Sequence, residues 1–107
     1  MYCGAMEMMG SVDCAKILKT MADPTRLRVL RHLVPADKTV TELCQELGIE
    51  QTLMSHHLGV LRRAKIVMEI KEGRQVYNRI CPSFAKVLSE SERRMDLGCC
   101  AVELRPE

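Results

Sequence analysis

The sequence predicts a mainly α-helical domain carrying one β-hairpin, in the order α-α-α-α-β-β-α, and three observations predict it. First, two short stretches of helical apolar spacing, residues 40–47 and 51–64, flank the turn Gly48-Ile49. Second, beyond Ala64 the period shortens: Ile66, Met68 and Ile70 alternate with Val67, Glu69 and Lys71. Glu72-Gly73-Arg74 then turns, and residues 76–80 return as a second strand. Third, Asp23-Pro24 ahead of Leu27, Leu30, Leu33 and Val34 marks a well-signalled helix start, with an N-cap acceptor and proline at the first helical position. A helix-turn-helix followed by a hairpin is a winged helix.

In chain order, residues 1–10 are rich in Met and Gly without periodicity and read as a loose arm holding Cys3. Residues 11–21 carry Val12, Ala15 and Leu18 on one row and Ile17 and Met21 on another, the pattern of a helix. The helix behind Asp23 follows, then a loop at 35–38. The first helix of the motif has Leu43 and Leu47 one turn apart. Gly48 ends it, because glycine enters the left-handed position after a helix without a Cβ penalty. After the hairpin, Pro82 opens a last helix expected over 83–97, with Phe84, Val87, Leu88, Ser91 and Met95 near one side. So few apolar positions support a helix poorly alone, so it is expected to pair with the first helix in a homodimer interface. Residues 98–107 form a C-terminal tail, and the whole of 1–107 reads as one domain.

The second helix of the motif separates into two faces. Leu53, Met54, His57, Leu58, Val60 and Leu61 fall on one side. Gln51, Thr52, Ser55, His56, Gly59, Arg62 and Arg63 fall on the other, which contains no acid. Small polar side chains at the leading end suit base edges, and arginines at the trailing end suit phosphates. The residues expected to touch DNA are therefore Gln51, Thr52, Ser55, His56 and Arg62, with Arg74 at the hairpin tip. For His56 and Arg74 the alternative of a merely solvated side chain stands beside that reading. His57 reads as a packing residue and His32 as an exposed one. Glu50 suits the helix dipole but would repel a phosphate.

Composition narrows the function classes. The net charge of the 107 residues is +2, so any nucleic-acid surface is a local patch. No Trp, one Phe and two Tyr exclude an aromatic platform for stacking bases. No long apolar run suggests a signal peptide or membrane span, and a cytoplasmic protein is expected. Six cysteines at irregular spacing then read as reduced thiols rather than a disulfide scaffold. No Cys-x-x-Cys motif or cysteine with an evident base is present, which argues against an enzyme.

The segments ADPTRLRVLRHL, TVTELCQELGIEQTLMSHHLGVLRRAKIV and EGRQVYNRI resemble the ArsR/SmtB family of metal- and thiol-responsive bacterial repressors, over roughly residues 12 to 97. The resemblance implies a winged-helix homodimer that binds double-stranded operator DNA of dyad symmetry and releases it on binding an inducer. The family's arsenic- and cadmium-type site places two cysteines at the start of the third helix. Here those positions hold Thr39 and Thr41. Cys44 falls where some arsenic sensors have a further cysteine, but stands alone and also reads as a small packing residue. The family's zinc-type site needs Asp and His pairs on the last helix, which offers Asp96 and no histidine.

The adjacent pair Cys99-Cys100 remains. Two neighbouring thiolates can share one soft ion, and some arsenical sensors of the family carry a similar C-terminal pair. The expected inducer is therefore trivalent arsenic or antimony, held by Cys99, Cys100 and a third thiolate, Cys14 before Cys3. Cd, Hg or Cu(I) is an alternative, as is a cysteine redox or persulfide switch on the same fold. Cys81, just before Pro82, reads as a structural junction residue.

Overall fold

The computed structural model describes residues 11–86, 94–96 and 101–103. Helices α1 (Ser11–Met21), α2 (Pro24–Leu33), α3 (Val40–Leu47) and α4 (Gln51–Arg63) precede strands β1 (Val67–Glu72) and β2 (Gln75–Ile80). The expected elements therefore form in the expected order. Their ends are fixed by local chemistry. Asp23 caps α2, accepting from the N–H groups of Thr25 at 2.9 Å and Arg26 at 3.1 Å. Thr39 caps α3 in a reciprocal box: its hydroxyl accepts from Glu42 N–H at 3.1 Å, and the Glu42 carboxylate accepts from Thr39 N–H at 2.8 Å. Gly48 closes α3 in the left-handed region, φ 68°.

The end of α4 is built on a less comfortable residue. Lys65 N–H donates to Arg62 C=O and Ile66 N–H to Leu61 C=O, both at 3.0 Å, a Schellman closure. That closure puts Lys65 at φ 63°, where a Cβ is disfavoured.

β1 and β2 pair antiparallel from Val67↔Ile80 to Glu72↔Gln75, and Gly73 at φ 63° takes the first of the two loop positions. The base of this wing is stitched to the helices. Lys38 and Asn78 exchange backbone hydrogen bonds at 3.1 and 2.7 Å, the Asn78 amide donates to Lys38 C=O, and Arg79 grips Asp37 through two nitrogens. Alternation holds only toward the tip: Ile66 and Met68 are buried as expected, but Val67 is buried as well, because both faces of the wing's base are covered. One continuous core gathers Cys14, Ile17 and Met21 of α1, Val29, Leu30 and Leu33 of α2, Leu43 and Leu47 of α3, Met54, Leu58 and Leu61 of α4, and Phe84.

The expected helix over 83–97 does not run through the residues described at its two ends. α5 (Pro82–Ala85) is a single turn, and Arg94–Asp96 is a strand, β3, antiparallel to β4 (Ala101–Glu103) with Asp96 opposite Ala101. Part of the expected tail is thus paired strand. The expected arm at 1–10, and Val87, Leu88 and Ser91 of the expected stripe, lie outside the described residues.

Candidate nucleic-acid interface

The second helix of the motif is held from both ends and from behind. At its start Glu50 is the N-cap, its carboxylate accepting from Leu53 N–H at 3.1 Å. The acid that would repel a phosphate is therefore occupied in satisfying an orphan helix donor. Behind, Met54, Leu58 and Leu61 are fully buried, and His57 is 7% exposed. The imidazole Nδ1 of His57 lies 3.2 Å from Arg26 Nη1. A guanidinium only donates, so Nδ1 accepts. The same guanidinium donates through Nε to Thr20 C=O at 2.6 Å. Arg26 thus joins the end of α1, the start of α2 and the back of α4. Asp23 shares this cluster: desolvation pushes its carboxyl up. The Arg26 N–H, the charge of Arg26 and the Thr25 N–H outweigh that and hold it below the ordinary carboxylate value.

The front of α4 is open. Gln51, Thr52, Ser55 and His56 are all exposed, and Arg74 is exposed at the wing tip, so five of the six side chains expected to reach DNA are accessible. Arg62 differs: it is half-buried and its Nη1 lies 3.6 Å from Glu69 Oε2 of β1, which ties the helix to the wing. Arg63, which follows it, is exposed. Gly59 lies on this face beneath the two arginines. A Cβ there would meet Arg63 Nη1 at 3.4 Å and Arg62 Nη2 at 3.9 Å, the mobile ends of flexible side chains. Leu53, expected to face the core, is instead 45% exposed. At the edge of the apolar stripe, whether a leucine is covered depends on the neighbouring helix, which spacing does not reveal.

Behind α3, His32 bonds Glu46 at 2.7 Å and Lys38 reaches the same carboxylate at 3.1 Å. These bonds, His32 first and then Lys38, hold the Glu46 carboxyl below its ordinary value. His32 is half-exposed, and its bond to Glu46 was not signalled by sequence spacing, since the two residues lie on different helices.

The cysteines depart most from expectation. Cys14 and Cys81 are each disulfide-bonded and almost wholly buried, at 2% and 1% exposure. The expectation of reduced thiols does not hold at these two positions. In this state the Cys14 sulfur is covalently engaged rather than an open thiolate, and α1 turns Cys14 inward on the row of Ile17 and Met21. Cys81 sits at the junction of β2 and α5, where its N–H donates to Ile66 C=O at 2.8 Å. Cys44 is a free, half-buried thiol packed against the core. Cys3, Cys99 and Cys100 lie outside the described residues, and among the described residues no group of three His, Cys, Asp or Glu is placed to hold a metal ion. No helix among them is long and apolar enough to cross a membrane.

Known proteins agree with this geometry. A helix-turn-helix domain model matches residues 21–70. The uncharacterized HTH-type transcriptional regulator Rv0081 of Mycobacterium tuberculosis is 37% identical over 81 residues, covering 74% of this chain and 71% of that protein. Reduced HlyU from Vibrio cholerae superposes with a TM-score of 0.64 at 33% identity, covering 68% of this chain and 77% of that one. The transcriptional repressor BigR from Xylella fastidiosa does so with a TM-score of 0.63 at 36% identity, covering 68% and 74%. With an open, acid-free recognition face and a wing carried on this scaffold, the chain belongs to the ArsR/SmtB family of winged helix-turn-helix transcriptional repressors, DNA-binding regulators rather than enzymes.

Proposed function

We propose that the protein acts in the cytoplasm as a homodimeric repressor that binds a dyad operator through α4 and the wing and lets go when its cysteines change chemical state. The observation that supports the DNA surface is the open face of α4, where Gln51, Thr52, Ser55, His56 and Arg63 stand exposed with no acid among them. Arg74 extends the surface to the wing tip, where a phosphate or minor groove is within a side chain's reach. The homodimer is supported by the outer row of α1: Ala15 is exposed and Leu18 is 38% exposed, an apolar row that a second copy would cover.

For the inducer, the engaged sulfurs of Cys14 and Cys81 favour thiol oxidation. In a reducing compartment a disulfide is a signal rather than a staple. Forming one removes two electrons and two protons from a pair of thiols and passes them to an oxidant. A second reading keeps the metalloid: Cys99 and Cys100, adjacent in sequence between β3 and β4, bind arsenite, antimonite or another soft ion (Cd, Hg, Cu(I)), with Cys3 or reduced Cys14 as the third thiolate. Either inducer works by linkage, so it must prefer the form of the dimer that binds DNA poorly.

Operator binding titrated in parallel against arsenite, antimonite, cadmium, zinc and a disulfide oxidant separates the two. Oxidation is expected to release wild-type protein and not Cys14→Ser. Release of Cys14→Ser at the wild-type oxidant concentration would remove the redox reading. Loss of arsenite response in the Cys99→Ser, Cys100→Ser double variant, with oxidant response intact, would establish the metalloid site instead.

A further inference from the structure

Leu53 is an apolar side chain standing on an otherwise polar surface. It is 45% exposed although it sits in the first turn of the recognition helix, fixed there by the Glu50 cap on its own N–H. Helical spacing puts Leu53 one turn before His56, and Arg63 two turns further along, so these three form one ridge. Thr52 and Ser55, both exposed, form the ridge beside it. Leu53 therefore belongs to the face proposed above to enter DNA, and to the leading end of it, where side chains of a recognition helix meet base edges.

The major groove offers such a side chain one apolar group that projects from the base edges, the C5-methyl of thymine, where cytosine has only a C–H and the remaining recognition groups are hydrogen-bond donors or acceptors. We propose that Leu53 is a specificity-determining residue that packs against a thymine methyl in each half of the operator. This inference rests on the DNA-binding reading above and adds a base preference to it. It makes adenine-thymine pairing at that step a requirement set by burial of apolar surface, where Ser55 and His56 would act by hydrogen bonding.

Deoxyuridine differs from thymidine only by the missing methyl, which isolates the contact. The full-length wild-type protein is used to select duplexes from a randomised pool, and each thymine of the selected site is then replaced in turn by deoxyuridine. One dyad-related pair of positions is expected to weaken wild-type binding by about fourfold per half-site, the value of one buried methyl-sized group. Leu53→Ala, whose melting temperature should match wild type because the residue is exposed, is expected to bind thymine and uracil duplexes equally at that pair. A uracil penalty that persists in Leu53→Ala overturns the inference, and so does a selected site with no uracil-sensitive position. A change of oligomeric state in Leu53→Ala on sedimentation also overturns it, by assigning the leucine to a contact with a second copy. Failure of the wild-type protein to select any duplex would remove the DNA reading itself, and this inference with it.

Discussion

Replacing His57 with alanine should destabilise the fold far more than the same change at its neighbour His56. The His57 ring is 7% exposed and accepts from Arg26 at 3.2 Å, a hydrogen bond from a charged donor. Bonds of that kind contribute about 1.5–3 kcal/mol, and the lost ring contacts add to this, so a total near 2–4 kcal/mol is expected. For a domain of this size each kcal/mol moves the melting temperature by about 4–8 °C, so His57→Ala should melt at least ~8 °C below wild type. His57→Leu keeps the bulk and loses the acceptor, and should fall between. His56 is exposed, its ring 5.5 Å from that of His57, and His56→Ala should stay within about 0.5 kcal/mol of wild type. Thermal unfolding followed by far-ultraviolet circular dichroism reads all three. A His57→Ala melt within ~2 °C of wild type would mean that the Arg26–His57 contact does not position α4, and the reasoning would fail there.

Four further outcomes follow from the same geometry. Ser55→Ala and His56→Ala should each weaken binding to the selected operator by about 1–3 kcal/mol if the side chain reads a base, and an unaltered double variant would remove the docking model. Arg74→Ala should weaken all sequences alike and lower the slope of log affinity against log salt by about 1, which titration at several salt concentrations measures. Asp23→Ala should cost about 1 kcal/mol at neutral pH through the lost cap. Because the fold lowers the Asp23 carboxyl, its contribution is full above the ordinary carboxylate value of about 4 and disappears as pH falls through the lowered one. The gap to wild type should therefore close in acid melts. Lys65→Gly relieves the left-handed backbone at φ 63° and should raise stability by about 1 kcal/mol, seen as a higher denaturant midpoint at unchanged slope.

Local signals were readable wherever a few neighbouring residues decide the outcome. Asp23-Pro24 and Gly48 are such cases, since a cap or a left-handed residue acts within one turn of chain. The front of α4 was readable too, because polar residues at helical spacing stay exposed whatever packs behind them. What spacing misses is set by other elements. Leu53 lies at the edge of its apolar stripe, where the position of the adjoining helix decides its exposure. Cys14, the first candidate for a third thiolate, shares with Ile17 and Met21 the row that faces the core, a burial that its spacing alone does not signal. The last helix was expected partly on the strength of a second chain, and the single chain instead pairs Arg94–Asp96 with Ala101–Glu103. Arg26 carried no signal beyond its charge, yet its fork meets both Thr20 and His57.

That fork bears on how a cysteine far from the DNA face would govern it. Thr20 follows Cys14 by six residues on α1, about 9 Å along the helix axis. α1 is packed into the core through Cys14, Ile17 and Met21, so any shift of α1 on making or breaking a bond at Cys14 is carried to the Thr20 carbonyl. The planar Arg26 guanidinium bonds both that carbonyl and the His57 ring, which gives such a shift a path to the back of α4. At the other end, the Cys81 N–H is bonded to Ile66, the residue that follows the Lys65 closure of α4 and precedes the wing. Contacts alone do not establish coupling; what does is a difference in DNA affinity between the two thiol states. On the redox reading that difference is reciprocal: operator binding must make the disulfide harder to form by the factor that the disulfide weakens the operator complex. A helix held only by its apolar stripe could settle by small rotations after such a shift. One also held by a fork from behind and by Arg62 to Glu69 at its end has less freedom to do so, so on the redox reading proposed above a change at α1 would reach the face that carries Ser55 and His56.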